Sequence, residues 1–142
     1  MNQKSKNRQS ITLQNRTKDC EKLFEFLTAY VKSNNISADI YEDLRLIVEE
    51  TFVNIAHYAY EKNGEQPVTV ELSTDENMVS ITFTDTGIAF NPIIDCNKDV
   101  EKDDHCEGGM GIHIIKSLSD HLQYNRTGNR NVFTITKHYT KQ

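Results

Sequence analysis

Two alternating runs, "VTVELST" from Val68 and "MVSITFTDT" from Met78, are separated only by Asp75, Glu76 and Asn77. A side-chain period of two buries one face, and so short a polar link between two such runs forces a tight antiparallel hairpin. Elsewhere the period lengthens. Leu23, Phe24, Leu27, Tyr30 and Val31 share one helical face after Thr17 or Asp19 as N-cap, and this helix is expected to stop near "KSNN". Ser37 is placed to cap a second helix carrying Ile40, Leu44, Ile47, Val48, Thr51 and Ile55, which should reach about Tyr60 before "NGEQP" breaks it. "SITLQ" reads as a first strand. Towards the other end come a helix "GIHIIKSLSDHL", a strand "QYNRT", a turn "GNRN" and a last strand "VFTITKHY" with Val132, Thr134 and Thr136 on one face.

The order β-α-α-β-β-loop-α-β-β implies an α+β fold: a two-layer α/β sandwich in which helices cover one face of a mostly antiparallel, mixed sheet. The 142 residues fit one domain, 1–142, with a basic and flexible tail over 1–9. Residues 91–107 have no clear period and many acids, among them Asp95, Asp99, Glu101, Asp103, Asp104 and Glu107. A structureless stretch of that length inside a compact domain is commonly a functional lid.

Charge narrows the function classes. Lys plus Arg (16) against Asp plus Glu (21) gives a net charge of −5, which argues against non-specific binding of nucleic acid. No apolar run approaches the roughly 20 residues of a membrane span, and "MNQKSKNRQS" carries no apolar signal region, so a cytoplasmic protein without membrane attachment is expected. Cys20, Cys96 and Cys106 lack metal-type spacing and read as reduced thiols; a metal site from Cys96, His105 and Cys106 is disfavoured because zinc takes four well-placed ligands.

The segment "EGGMGIHII" holds Gly108, Gly109 and Gly111 immediately before apolar residues at helical spacing. The first turn of a helix offers unpaired N–H groups and partial positive charge, and glycines let a phosphate approach them. Glu50 and Asn54, four residues apart, project from one face of the second helix, and Asp85 ends a strand with Gly87 two residues on. There is no GxxxxGK[ST], and Ile114 stands where a dinucleotide-binding fingerprint would need its third glycine.

In this order, "EETFVNIAHYAY", "DTGIAFNP" and "GGMGIHIIKSLSD" resemble the asparagine box and the two glycine boxes of the GHKL (Bergerat-fold) ATP-binding family. That fold is shared by DNA gyrase, Hsp90, histidine kinases and MutL, and the chain is most similar to the single-domain bacterial anti-sigma-factor serine/threonine kinases. The resemblance runs from about Ser10 to Tyr139. It implies ATP and Mg²⁺ as cofactors, with Asn54 giving its oxygen to the metal and Glu50 acting as general base; Glu49 is the rival carboxylate. It further implies that Asp85 accepts from the adenine amino group, that Gly87 leaves room for the ring, that Gly108, Gly109 and Gly111 wrap the phosphates, and that 91–107 is the ATP lid. The turn that touches adenine in relatives appears here as "RNV", leaving Arg130, Asn131 or Thr134 for that role, and Thr134 is taken as the site residue. His57 is expected to be structural or solvent-facing.

The implied activity is transfer of the γ-phosphate to a serine or threonine of a small partner, a STAS-domain antagonist. A sigma factor is the competing client, and a homodimer is the implied assembly. Glu107 stands where relatives often carry Arg, which supports an alternative: a non-catalytic, ATP-dependent binding module that sequesters a regulator.

Overall fold

A computed structural model describes residues 7–58, 66–94 and 107–139. Five strands form one sheet in the order β1-β2-β3-β5-β4: β1 (Asn7–Gln14), β2 (Pro67–Asp75), β3 (Met78–Asp85), β4 (His121–Thr127) and β5 (Arg130–His138). Every neighbouring pair is antiparallel, so the mixed sheet expected from the sequence is antiparallel throughout. Helices α1 (Cys20–Ser33), α2 (Tyr41–Tyr58) and α3 (Glu107–Leu118) accompany it. None of these is long and apolar enough to cross a membrane.

The expected hairpin is β2–β3, with Asp75 paired to Met78 across Glu76 and Asn77. Glu76 takes φ +59, a conformation that L side chains resist, and Tyr139 steadies the turn by donating its N–H to Asn77 O and its hydroxyl to Glu76 O. Gly128, at φ +62, begins the β4–β5 turn, where lack of a Cβ makes the same conformation cheap. Alternation along β2, β3 and β5 sends Val70, Leu72, Ile81, Phe83, Phe133 and Ile135 to one face, against the buried Leu27, Ile47, Phe52, Ile112 and Ile115 of the helices.

Helix α1 ends where "KSNN" placed its end, by a definite device. Asn35 adopts φ +54, the Asn35 N–H reaches Lys32 O, and the Ile36 N–H reaches Val31 O, the paired bonds of a Schellman cap. At its start Asp19 occupies the N-cap position but does not cap. Its carboxylate accepts from the Gln14 N–H and the Arg16 Nε, both at 2.9 Å, and so ties the end of β1 to the start of α1. Ser37 caps as expected, accepting from Asp39 N–H ahead of a 3-10 turn, Ala38–Ile40, that leads into α2.

Three boundaries differ from the sequence reading. The tail expected over 1–9 gives way to strand at Asn7, where Asn7, Arg8 and Gln9 pair with Thr74, Ser73 and Leu72, because the edge of β2 offers partners that local sequence does not reveal. Helix α3 begins at Glu107 rather than Gly111 and stops at Leu118 rather than Leu122. At its end the Ser119 N–H and hydroxyl both donate to Ile115 O, Lys137 Nζ donates to Leu118 O, and His121 and Leu122 join β4. Of the expected lid, 91–94 and Glu107 are described, while 95–106, with Cys96, His105 and Cys106, lie outside the described residues. The end of α2 expected at Tyr60 is likewise outside them.

Candidate nucleotide-binding site

Asn54 lies on the buried side of α2, only 2% exposed, and its Nδ2 has no hydrogen-bond partner among the described residues. Thr51, three residues earlier and fully buried, has an equally unpartnered hydroxyl. A buried polar atom without a partner costs about 1–3 kcal/mol, so two neighbours on one helix face are expensive unless they serve a ligand. No partner dictates which way the Asn54 amide points, so it can present its oxygen to a cation. With the half-buried Glu50 carboxylate one turn away, the ligands on offer are oxygens of the kind a hard divalent ion takes; the residues fit Mg²⁺, which a nucleotide brings with it. Thr51 was legible in the sequence only as another apolar-face position.

Glu50 and Glu49 diverge. A Cβ built at Gly111 on α3 falls 2.5 Å from Glu50 Oε1, so the Glu50 carboxylate lies against the backbone of α3. Glu49 faces the start of α1, where burial, with the Glu49 and Asp19 charges, pushes the Cys20 thiol up to about 11. His57 is exposed, as expected.

The second cluster gathers at the ends of β3 and β5. Asp85 is 3% exposed and pairs across the sheet with Asn131. Its Oδ1 accepts from the Gly87 N–H and from Asn131 Nδ2, each at 2.8 Å, and neither bond ends on Oδ2. Burial raises the Asp85 pKa above 3.8, while these two donors and the Arg126 charge oppose the rise. Asn131 also donates to Ile88 O at 2.8 Å and accepts from the Phe90 N–H at 3.2 Å and the Tyr124 hydroxyl. Arg126 on β4 donates to Gly87 O at 2.8 Å. The loop after Asp85 is thus held at residues 87, 88 and 90 by side chains of the β4–β5 hairpin.

Thr134 does not join this cluster. Its neighbours Phe133 and Ile135 face the helices, so strand alternation turns Thr134 to the opposite face, where its hydroxyl pairs with Thr82. Asn131, the amide-bearing candidate of that turn, is the residue paired with Asp85. Gly87 is buried beside Asp85, and Gly108 and Gly109 fall within the first turn of α3 instead of in a loop before it.

Helices packed on an antiparallel sheet in this way have known counterparts. The histidine kinase domain of the Erythrobacter litoralis EL346 blue-light-activated histidine kinase superposes with a TM-score of 0.54 at 14% identity, over 87% of this chain and 60% of that one. The Acinetobacter baumannii histidine kinase AdeS does so with a TM-score of 0.51 at 16% identity, over 92% and 68%. These likenesses show the fold. In sequence, the chain is 30% identical over 112 residues to the serine-protein kinase RsbW of Staphylococcus aureus, from strains bovine RF122 / ET3-1 and MRSA252, spanning 73% of this chain and 69% of that protein. Residues 13–137 match the histidine kinase-like ATPase domain, and the chain belongs to that family.

Proposed function

We infer that the protein is a Mg-ATP-dependent serine/threonine protein kinase that phosphorylates a small partner in a bacterial partner-switching system. The unpartnered, buried Asn54 one helical turn from Glu50 is the observation that carries this reading, supported by the likeness to a serine-protein kinase. Asn54 would hold Mg²⁺, which when bound offsets the charge of the ATP phosphates. Asp85, through Oδ2, accepts from the adenine amino group; a guanine would set its carbonyl oxygen against the same carboxylate. Gly108 and Gly109 bring backbone N–H groups of the first turn of α3 to the phosphates.

Glu50 takes the proton of the attacking hydroxyl. As the oxygen–phosphorus bond to the serine or threonine forms, the bond from the γ-phosphorus to the bridging oxygen breaks, and ADP leaves with that electron pair. The partner class is a STAS-domain antagonist, with a sigma factor as rival client and ATP or ADP biasing which is held.

The test combines γ-labelled ATP with a recombinant STAS-domain protein from the same organism. Wild-type protein transfers label to a serine or threonine, while Glu50→Ala binds ATP but transfers none. ATP binding by the wild type without transfer, together with partner capture unaltered by Glu50→Ala, overturns the kinase reading in favour of a non-catalytic binding module.

A further inference from the structure

We propose that Gly111 is a positioning residue for the Glu50 carboxylate, which occupies the space that a side chain at 111 would fill. The inference rests on the reading of Glu50 as the base and gives Gly111 a role apart from the phosphates. Glu50 Oε1 lies 2.5 Å from the position of a Cβ at 111, with Glu50 Cδ at 3.5 Å and Cβ at 3.7 Å. A real Cβ does not approach another heavy atom within 3.0 Å, so any other L residue at 111 displaces that oxygen.

What gives way is decided by stiffness. Ile112 and Ile115 anchor α3 in the core, and Ile47, Val48 and Phe52 anchor α2, all of them fully buried. The helices cannot part without opening packed apolar surface to water. The Glu50 carboxylate is the far end of a flexible side chain and can swing for much less. A methyl at 111 therefore moves the base and leaves the fold. A proton acceptor must meet its donor within hydrogen-bond reach, and misplacement by about 1 Å can cost on the order of 100-fold in rate. The glycine of α3 thus sets where the carboxylate of α2 can stand.

The experiment is a double-mutant cycle of Gly111→Ala, Glu50→Gln and both together. Each protein is followed by melting temperature, by ATP affinity from calorimetry, by label transfer to the STAS-domain protein, and by single-turnover hydrolysis of γ-labelled ATP, in which water replaces the hydroxyl. Gly111→Ala is expected to lower turnover at saturating ATP by at least about 10-fold while the melting temperature holds. Added to Glu50→Gln, it costs nothing further. A crystal structure of Gly111→Ala should show the carboxylate displaced between unmoved helices. The proposal is overturned if Gly111→Ala turns over like the wild type, weakens ATP binding instead, or adds its full loss on top of Glu50→Gln. Wild-type turnover by Glu50→Gln alone is a different result: it removes the base assignment itself.

Discussion

Asn131 donates to Asp85 across the paired ends of β5 and β3 at 2.8 Å, and every hydrogen-bonding place on its amide is filled. The Phe90 N–H on its oxygen prevents the amide from turning over. Its nitrogen must therefore face Asp85, where it donates to Oδ1 beside the Gly87 N–H.

Replacing Asn131 by Ala strands the Phe90 N–H and the Ile88 carbonyl and takes one donor from Asp85. The expected loss of stability is about 2–4 kcal/mol, read from urea unfolding, because several buried groups lose partners at once. ATP affinity should fall with it. Asn131→Thr, whose hydroxyl can still donate to Asp85, should regain more affinity than stability. An Ala variant as stable as the wild type would show that the loop does not depend on this amide.

Asp85 makes opposite demands on stability and binding. Its folded pKa lies above 3.8, so between that value and the raised one the folded state binds the proton more tightly than the unfolded chain does. The contribution of this group to stability therefore falls as pH rises through the window. Asp85→Asn should melt at or above the wild-type temperature at neutral pH, yet bind ATP far more weakly. In the wild type, ATP affinity should decline on acidification while the pH is still above the ordinary carboxylate range, measured by calorimetry from neutral pH downward. Unchanged affinity in Asp85→Asn would remove the base-reading role.

Thr51 carries a buried hydroxyl with no partner. Thr51→Val keeps the shape and removes the desolvation cost, so the ligand-free protein should gain about 1 kcal/mol or more in chemical denaturation. If the hydroxyl meets the nucleotide, ATP should stabilise the variant less than it stabilises the wild type. A destabilised variant would mean that the hydroxyl has a partner after all.

Asp19 acts as the clasp between β1 and α1. Burial alone would raise its pKa, but the Gln14 N–H and the Arg16 side chain outweigh burial and hold it below 3.8. Its contribution is thus present above that value and lost as pH falls through the depressed one. Asp19→Ala should cost about 2–3 kcal/mol at neutral pH, and Asp19→Asn should show a flatter acid-unfolding profile than the wild type.

The chain's own pattern determined the parts that depend on near neighbours. Alternation in "VTVELST" and "MVSITFTDT" gave the central hairpin, and helical spacing gave α1 and α2 with Asn54 a turn beyond Glu50. "KSNN" supplied the residue for a left-handed helix end, and Asp85 with Gly87 gave a strand end whose carboxylate accepts from the N–H two residues on. These are interactions within a turn or two of chain, which sequence encodes directly. Only tertiary structure decided the rest. The register of β5 on β3 set Asn131, not Thr134, beside Asp85, since a period of two sends adjacent residues to opposite faces and the pairing partner lies far away in the chain. The packing of α3 on α2 put Gly111 against Glu50. The free edge of β2 made strand of residues 7–9. Each of these outcomes is chosen by which surfaces bury together, a choice made over the whole core and not within any one segment of it.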